Sequence, residues 1–209
     1  MNQIFNFFID PYRTLSVFDI GLEITAVFFG IISVVFAKRE NIWVYPTGLV
    51  STCIYVYICY QYTLYGDILI NIYYTIMSIY GWYIWSKTTN NKHLPITKST
   101  SKDWIKVAGI FSFTSVFVII IYLYLGRFHQ ATDYFDTLTT GIFFAGMWLM
   151  ANKKIEHWTF WIVGNLISVP LYFVKGLGFS GIQFTIFLFL AYQGHKAWTK
   201  TLHKKQVTA

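Results

Sequence analysis

Charge is scarce in this sequence. Asp, Glu, Lys and Arg make up 12% of its 209 residues, against about 25% in an ordinary soluble domain. The length would suit one such domain, but a surface so poor in charge would not stay in solution. Cysteine is almost missing as well. Cys53 and Cys59 share one apolar block and lack metal-ligand spacing, which argues against a zinc site or a disulfide pair. No phosphate loop, nucleotide-binding motif, metal cluster or nucleophile–base set is found. Neither a cofactor nor a metal is therefore expected, and ATP-driven transport within this chain is disfavoured. A cleavable signal peptide is not expected either, because the first positive charge, Arg13, follows the apolar run Ile4 to Ile9.

What is present is apolar bulk: 56% hydrophobic and 21% aromatic residues. They come in blocks of about 20 residues, the length of a helix that crosses a bilayer, rather than in period-2 or period-3.6 stripes. Backbone in hydrocarbon must be helical unless a barrel closes. The expected class is an all-α membrane protein with seven spans, at about 19–37, 42–62, 67–86, 104–125, 134–151, 157–174 and 179–198. Residues 1–18 are expected to form an interfacial segment that lies on the membrane. The remaining divisions are 19–87, a loop and fourth span over 88–131, 132–200, and a basic tail over 201–209.

The net charge of +7 does not point to nucleic acid, because the basic residues sit between the blocks. With seven spans, thirteen of the sixteen Lys and Arg residues, from Lys38 and Arg39 to Lys204 and Lys205, fall on one side. The positive-inside rule puts that side, and the C-terminus, in the cytoplasm and the N-terminus outside.

The two ends of the chain resemble each other. Phe28-Phe29, Lys38-Arg39 and Trp43 recur as Phe143-Phe144, Lys153-Lys154 and Trp158, an offset of 115. Gly81-x-x-x-Trp85-Ser86-Lys87 recurs as Gly194-x-x-x-Trp198-Thr199-Lys200 at 113, which a two-residue deletion would explain. Three spans per copy and one between them restore a common orientation. The expected arrangement is thus 3+1+3 with parallel three-helix repeats, a transporter plan with the substrate between the halves.

Polar groups inside the spans either find partners or face a pathway. They concentrate in the two repeats: Glu23, Ser51, Asn71, Asp136, Asn165, Ser168 and Gln183. Span 4 carries only hydroxyls. A serine or threonine is most simply bonded back to its own helix, and an amide is either helix–helix glue or a pathway group. Trp158, Trp161 and Asn165 share one face of span 6. Two indoles and an amide suit a flat, polar aromatic solute, by stacking, cation–π contact and hydrogen bonding. Trp158 is either an interfacial anchor or part of the site. Trp85 and Trp198, beside lysines, are expected to be belt residues, while Tyr80 and Trp82 sit a turn further in. Pro46 and Pro170 are either gating or structural kinks. The nearest thing to an enzyme cluster is Asp133, Asp136 and His129, and no enzyme is expected.

Tyr80-Gly81-Trp82-Tyr83-Ile84-Trp85-Ser86, Glu23 with Gly30, Phe135-Asp136, and Trp158-x-x-Trp161-x-x-x-Asn165-x-Ile167-Ser168-Val169 carry a resemblance. From about residue 20 to 200 the chain resembles the bacterial nicotinamide riboside transporter family, PnuC. The resemblance implies a SWEET-like fold in the 3+1+3 order and a homotrimer in the inner membrane. It also implies facilitated diffusion of nicotinamide riboside, trapped by a cytoplasmic kinase that phosphorylates it. It implies that Trp158, Trp161 and Asn165 line a central site. Asn71 and Gln183 fall where some relatives carry glutamine and glutamate, and Ser51 where some carry an asparagine. Trp82, Tyr80, Asp136 and Glu23 complete the candidate binding set. A sister group transports thiamine, also a flat aromatic cation, so thiamine stands as the alternative ligand.

Overall fold

The computed structural model describes residues 16–61, 65–89, 92–126, 130–175 and 178–207. Of the expected interfacial segment 1–18, residues 1–15 lie outside the described residues, as do Arg127 and His129, while Val17 and Phe18 belong to the first long helix. Among the described residues there are seven long helices: α1 (Val17–Lys38), α2 (Val44–Gln61), α3 (Tyr65–Ser86), α4 (Ser101–Tyr124), α5 (Ala131–Ala151), α6 (His157–Val174) and α7 (Gly178–Val207). A two-residue antiparallel ladder, β1 (Thr88–Thr89) with β2 (Lys92–His93), sits between α3 and α4.

Local chemistry explains the ends. Ser16 accepts from the Asp19 N–H and caps α1. Thr100 and Asp103 form a reciprocal capping box, so α4 starts three residues before the expected 104. The tail expected to leave the last helix at 198 instead continues α7 to Val207.

The outer surface is apolar. Phe28, Ile76, Ile105, Phe113, Ile120 and Phe189 are all exposed, while Ser51, Thr137, Asn165 and Ser168 are buried. Leaving such side chains in water forgoes roughly 1.5–3 kcal/mol each; in hydrocarbon that penalty disappears. α1 and α4, with mean hydropathies of 2.3 and 2.2, are long and apolar enough to cross a membrane.

α1 packs on α2 and α2 on α3; α5 packs on α6 and α6 on α7. α1 also meets α7, and α3 meets α5, which closes a ring of six helices. α4 stands outside it, packed chiefly on α5.

Several landmarks of the ring share one spacing. Val44 and His157, which open α2 and α6, are 113 positions apart, as are Tyr65 and Gly178, which open α3 and α7. Glu40 (φ 55°) and Lys153 (φ 49°), the non-glycine residues with left-handed backbone among those described, share that spacing. The 115 offset read around Trp43 is not the spacing of these landmarks. Trp43 is exposed, and the position 113 before the buried Trp158 is Tyr45. Tyr45 and Trp158 behave alike: an added Cβ on Gly81 would overlap the Tyr45 ring, and one on Gly194 the Trp158 ring.

Trp85 and Trp198 are not belt residues. Both are buried in the main core. The Trp85 indole donates to the Ala151 carbonyl at 3.1 Å, and that of Trp198 to the Ala37 carbonyl at 3.0 Å. Their rings lie edge-on to Tyr45 (5.2 Å, 87°) and Trp158 (5.8 Å, 86°) respectively. Neighbouring lysines suggested an interface, but the short side chains of Ala151 and Ala37, whose carbonyls the indoles reach, let them sink between helices.

One connector crosses this end of the bundle. Thr97 donates to the Lys153 carbonyl (3.1 Å) and accepts from the Ile155 N–H (3.0 Å). The Ser99 N–H and hydroxyl both bond the Glu156 carboxylate. Lys154 pairs with Asp103 at 3.0 Å, and Ile96 is buried in the core.

Candidate functional site

The ring encloses a cavity of about 210 Å³. All six ring helices contribute to its wall, and α4 contributes none of the lining residues. At the end nearest Lys38 and Lys153 it is bounded by Ala37, Val44, Tyr45, Met147, Met150 and Trp158. Beyond them the buried Trp85 and Trp198 close the bundle, their rings 6.2 Å apart. The rest of the wall includes Ser51, Thr52, Tyr55, Asn71, Tyr74, Trp161, Asn165, Gln183 and Phe187.

The hydroxyls of this wall are mostly occupied. Ser51 donates to the Ala26 carbonyl at 2.8 Å and Ser33 to the Val44 carbonyl at 2.8 Å. Thr52 lies 2.9 Å from the Thr75 hydroxyl, which also reaches the Asn71 carbonyl. These bonds stitch α1 to α2 and α2 to α3, so the hydroxyls define the shape of the wall rather than its affinity.

The indoles and one amide differ. The Nε1 atoms of Trp158 and Trp161, both Asn165 side-chain atoms and the Tyr45 hydroxyl are buried without a hydrogen-bond partner among the described residues. A buried polar group left unpaired costs about 1–3 kcal/mol. All five atoms belong to residues of the cavity wall, the Tyr45 hydroxyl lying against Gly81 and the Trp161 Nε1 near Gly146. Asn165 supplies a donor and an acceptor together, and the indoles supply donors only. The aromatic rings add π faces, with Trp161 and Phe143 5.5 Å apart. Among the described residues no Lys, Arg, Asp or Glu lines the wall.

Of the ten residues singled out from the sequence, six line the cavity: Trp161, Asn165, Trp158, Asn71, Gln183 and Ser51. Four do not. Tyr80 and Trp82 are exposed on the outward side of α3, because the face of α3 that turns inward carries Asn71, Tyr74 and Ser78. Asp136 is bound to Lys175, which joins α5 to the end of α6. Glu23 lies near Tyr55, itself beside Gln183, and is not in the lining. Sequence reading missed Tyr45, Tyr55, Tyr74, Met147 and Met150. The recurrence of Gly81 as Gly194 was the available signal for Tyr45, since each glycine holds one large ring.

The sequence matches the family model described as Nicotinamide mononucleotide transporter over residues 20–200. It is 24% identical to the Nicotinamide riboside transporter PnuC of Escherichia coli, with 88% of this chain and 87% of that protein covered. The PnuC of Neisseria mucosa is 26% identical, with coverages of 89% and 74%. The Riboflavin/roseoflavin transporter RibM of Streptomyces davaonensis is 22% identical, with coverages of 81% and 80%. The fold is similar to the crystal structure of the Vitamin B3 transporter PnuC, with a TM-score of 0.68 at 24% identity, covering 88% of this chain and 82% of that one. The chain belongs to the nicotinamide mononucleotide transporter family.

Proposed function

We propose that the protein lets nicotinamide riboside equilibrate across the bacterial inner membrane, and that the central cavity is its binding site. As a member of this family it is a transporter and not an enzyme. The observation that carries the ligand assignment is the cavity wall: aromatic rings, unpaired indole and amide groups, and no charged side chain. The carboxamide of nicotinamide matches the donor and acceptor of Asn165. Its pyridinium charge is met by ring faces rather than a carboxylate. A phosphate would need Arg or Lys, and the wall offers neither, which favours the riboside over the mononucleotide of the family's name. Trp158, Trp161, Asn165, Asn71, Gln183 and Ser51 form the proposed site.

The 3+1+3 plan with parallel, SWEET-like repeats belongs to the same proposal. Two things support it: the common spacing of 113, and a packing pattern that is unchanged when α1, α2 and α3 are exchanged for α5, α6 and α7. The lysine bias supports an outside N-terminus and a cytoplasmic C-terminus. Assembly as a homotrimer and trapping by a cytoplasmic kinase follow from the family resemblance.

Calorimetric titration of the purified protein with nicotinamide riboside, nicotinamide mononucleotide, thiamine and riboflavin tests the assignment. The riboside is expected to bind in the micromolar range, and the mononucleotide roughly 100-fold more weakly, since its charge would be buried unpaired. Trp161→Ala should bind far more weakly while staying folded. If the riboside does not bind, or if thiamine binds better, the ligand assignment is wrong.

A further inference from the structure

The end of the ring that carries Lys38 and Lys153 is shut by contacts of two unequal kinds. On one side, the α5–α6 turn is tied down by the connector before α4. Thr97 bonds it at Lys153 and Ile155, Ser99 at Glu156, and Asp103 pairs with Lys154. On the other, the N–H groups of Arg39, Glu40, Asn41, Val44 and Tyr45 in the α1–α2 turn reach only carbonyls between Val35 and Ile42. That turn is held to the rest of the ring by Trp198 on the Ala37 carbonyl, by Lys38 on Gln193 at 2.7 Å, and by Glu40, whose carboxylate lies 4.0 Å from Lys153 Nζ.

Glu40 and Lys153 occupy corresponding places in the two turns, and both adopt a left-handed backbone. For a residue other than glycine that conformation costs roughly 1–2 kcal/mol, and glycine would avoid the cost. Two opposite charges stand there instead. Lys153 is buried, its ammonium 4.4 Å from the centre of the Trp85 ring, so a cation is brought to the indole that closes the cavity.

We propose that Glu40 and Lys153 are the latch of this end of the transporter. The end opens when the α1–α2 turn swings away from an α5–α6 turn that stays fixed to α4. Opening this way releases the Glu40–Lys153 pair, the Trp198–Ala37 bond and the Lys38–Gln193 bond. Moving the opposite turn would in addition tear out every connector contact. The inference rests on the transport reading above, but it is read by conformation and not by flux.

A single cysteine at Met150, which lines the cavity, is placed in a chain with Cys53→Ser and Cys59→Ala. It is titrated with a membrane-impermeant maleimide from the lysine-rich face of proteoliposomes. Glu40→Gln and Lys153→Met are each expected to raise the labelling rate roughly 3- to 10-fold, the population shift that loss of one partly buried ion pair gives. The double reversal Glu40→Lys with Lys153→Glu should bring it back to within about twofold of the parent. Spin labels at Asn41 and Asn152, each paired with one at Lys102, read which turn moves. In Glu40→Gln the Asn41 distance should broaden and the Asn152 distance hold. Unchanged labelling in both single variants overturns the latch, and Glu40→Gln decides the matter if Lys153→Met does not fold. Movement of Asn152 instead of Asn41 overturns the fixed half. Riboside flux in the parent chain is measured separately, so its absence counts against the ligand and not against the latch.

Discussion

Replacing Gly194 by alanine tests the site without touching a group proposed to meet the ligand. An added Cβ there would overlap the six-membered ring of Trp158. Restoring an ordinary carbon–carbon contact requires the indole to move by about 1 Å. It cannot retreat: His157 packs against it, tilted by 41° with ring centres 4.4 Å apart, and Trp198 meets it edge-on at 5.8 Å. Both neighbours are fully buried. The open direction is the cavity. Overpacking of this kind costs roughly 1–3 kcal/mol, and if the displaced ring takes ligand space the loss of affinity is about 5- to 150-fold. Gly109→Ala is the control, since nothing lies within 4 Å of its added Cβ. Titration calorimetry with nicotinamide riboside reads affinity, and thermal unfolding in the same detergent reads stability. Gly194→Ala should lose affinity while Gly109→Ala keeps it. A Gly194→Ala protein that is destabilised but binds like the parent would refute the placement of Trp158 on the ligand path.

Asn165→Leu should separate stability from function, because it removes two unpaired buried atoms. The empty protein should melt no lower than the parent, while riboside affinity falls by roughly 1–3 kcal/mol. Trp198→Phe removes the indole donor of the Ala37 carbonyl, which keeps the Glu40 N–H, and thermal unfolding should register a loss of about 0.5–1.5 kcal/mol for the one bond. Asp136→Asn breaks the pair with Lys175 away from the cavity. Riboside affinity should be unchanged, and flux into liposomes should show the same indifference to an imposed pH gradient as the parent.

Much of this architecture was legible in the sequence because hydrocarbon thickness imposes a length on every span. Blocks such as Val17–Lys38 and His157–Val174 declare themselves by apolar run and flanking charge. Trp161 and Asn165 were legible for a related reason: an amide and an indole on one face of a buried helix need an explanation. The rest depends on interdigitation. Trp85 and Trp198 look like interfacial anchors until Ala151 and Ala37 across from them are placed in space. Tyr80 and Trp82 lie one helical turn inside Trp85, but the rotation of α3, set by its packing on α2 and α5, turns them outward. Trp43 invites pairing with Trp158 by residue type, whereas the backbone pairs Trp158 with Tyr45. Similarity of side chains is a poor guide to register when tryptophan and tyrosine fill the same glycine notch.

Each half of the ring donates an indole N–H to the other and accepts one in return: Trp85 to Ala151, Trp198 to Ala37. A half-length polypeptide would hold both the donor and the acceptor, yet could use neither alone. Two identical copies standing side by side would complete each other as a small homodimer does, at the mercy of dilution in the lipid. Joining them through α4 turns that encounter into an intramolecular one with a fixed effective concentration. The two sequences are then free to diverge, until one notch holds a phenol and the other an indole.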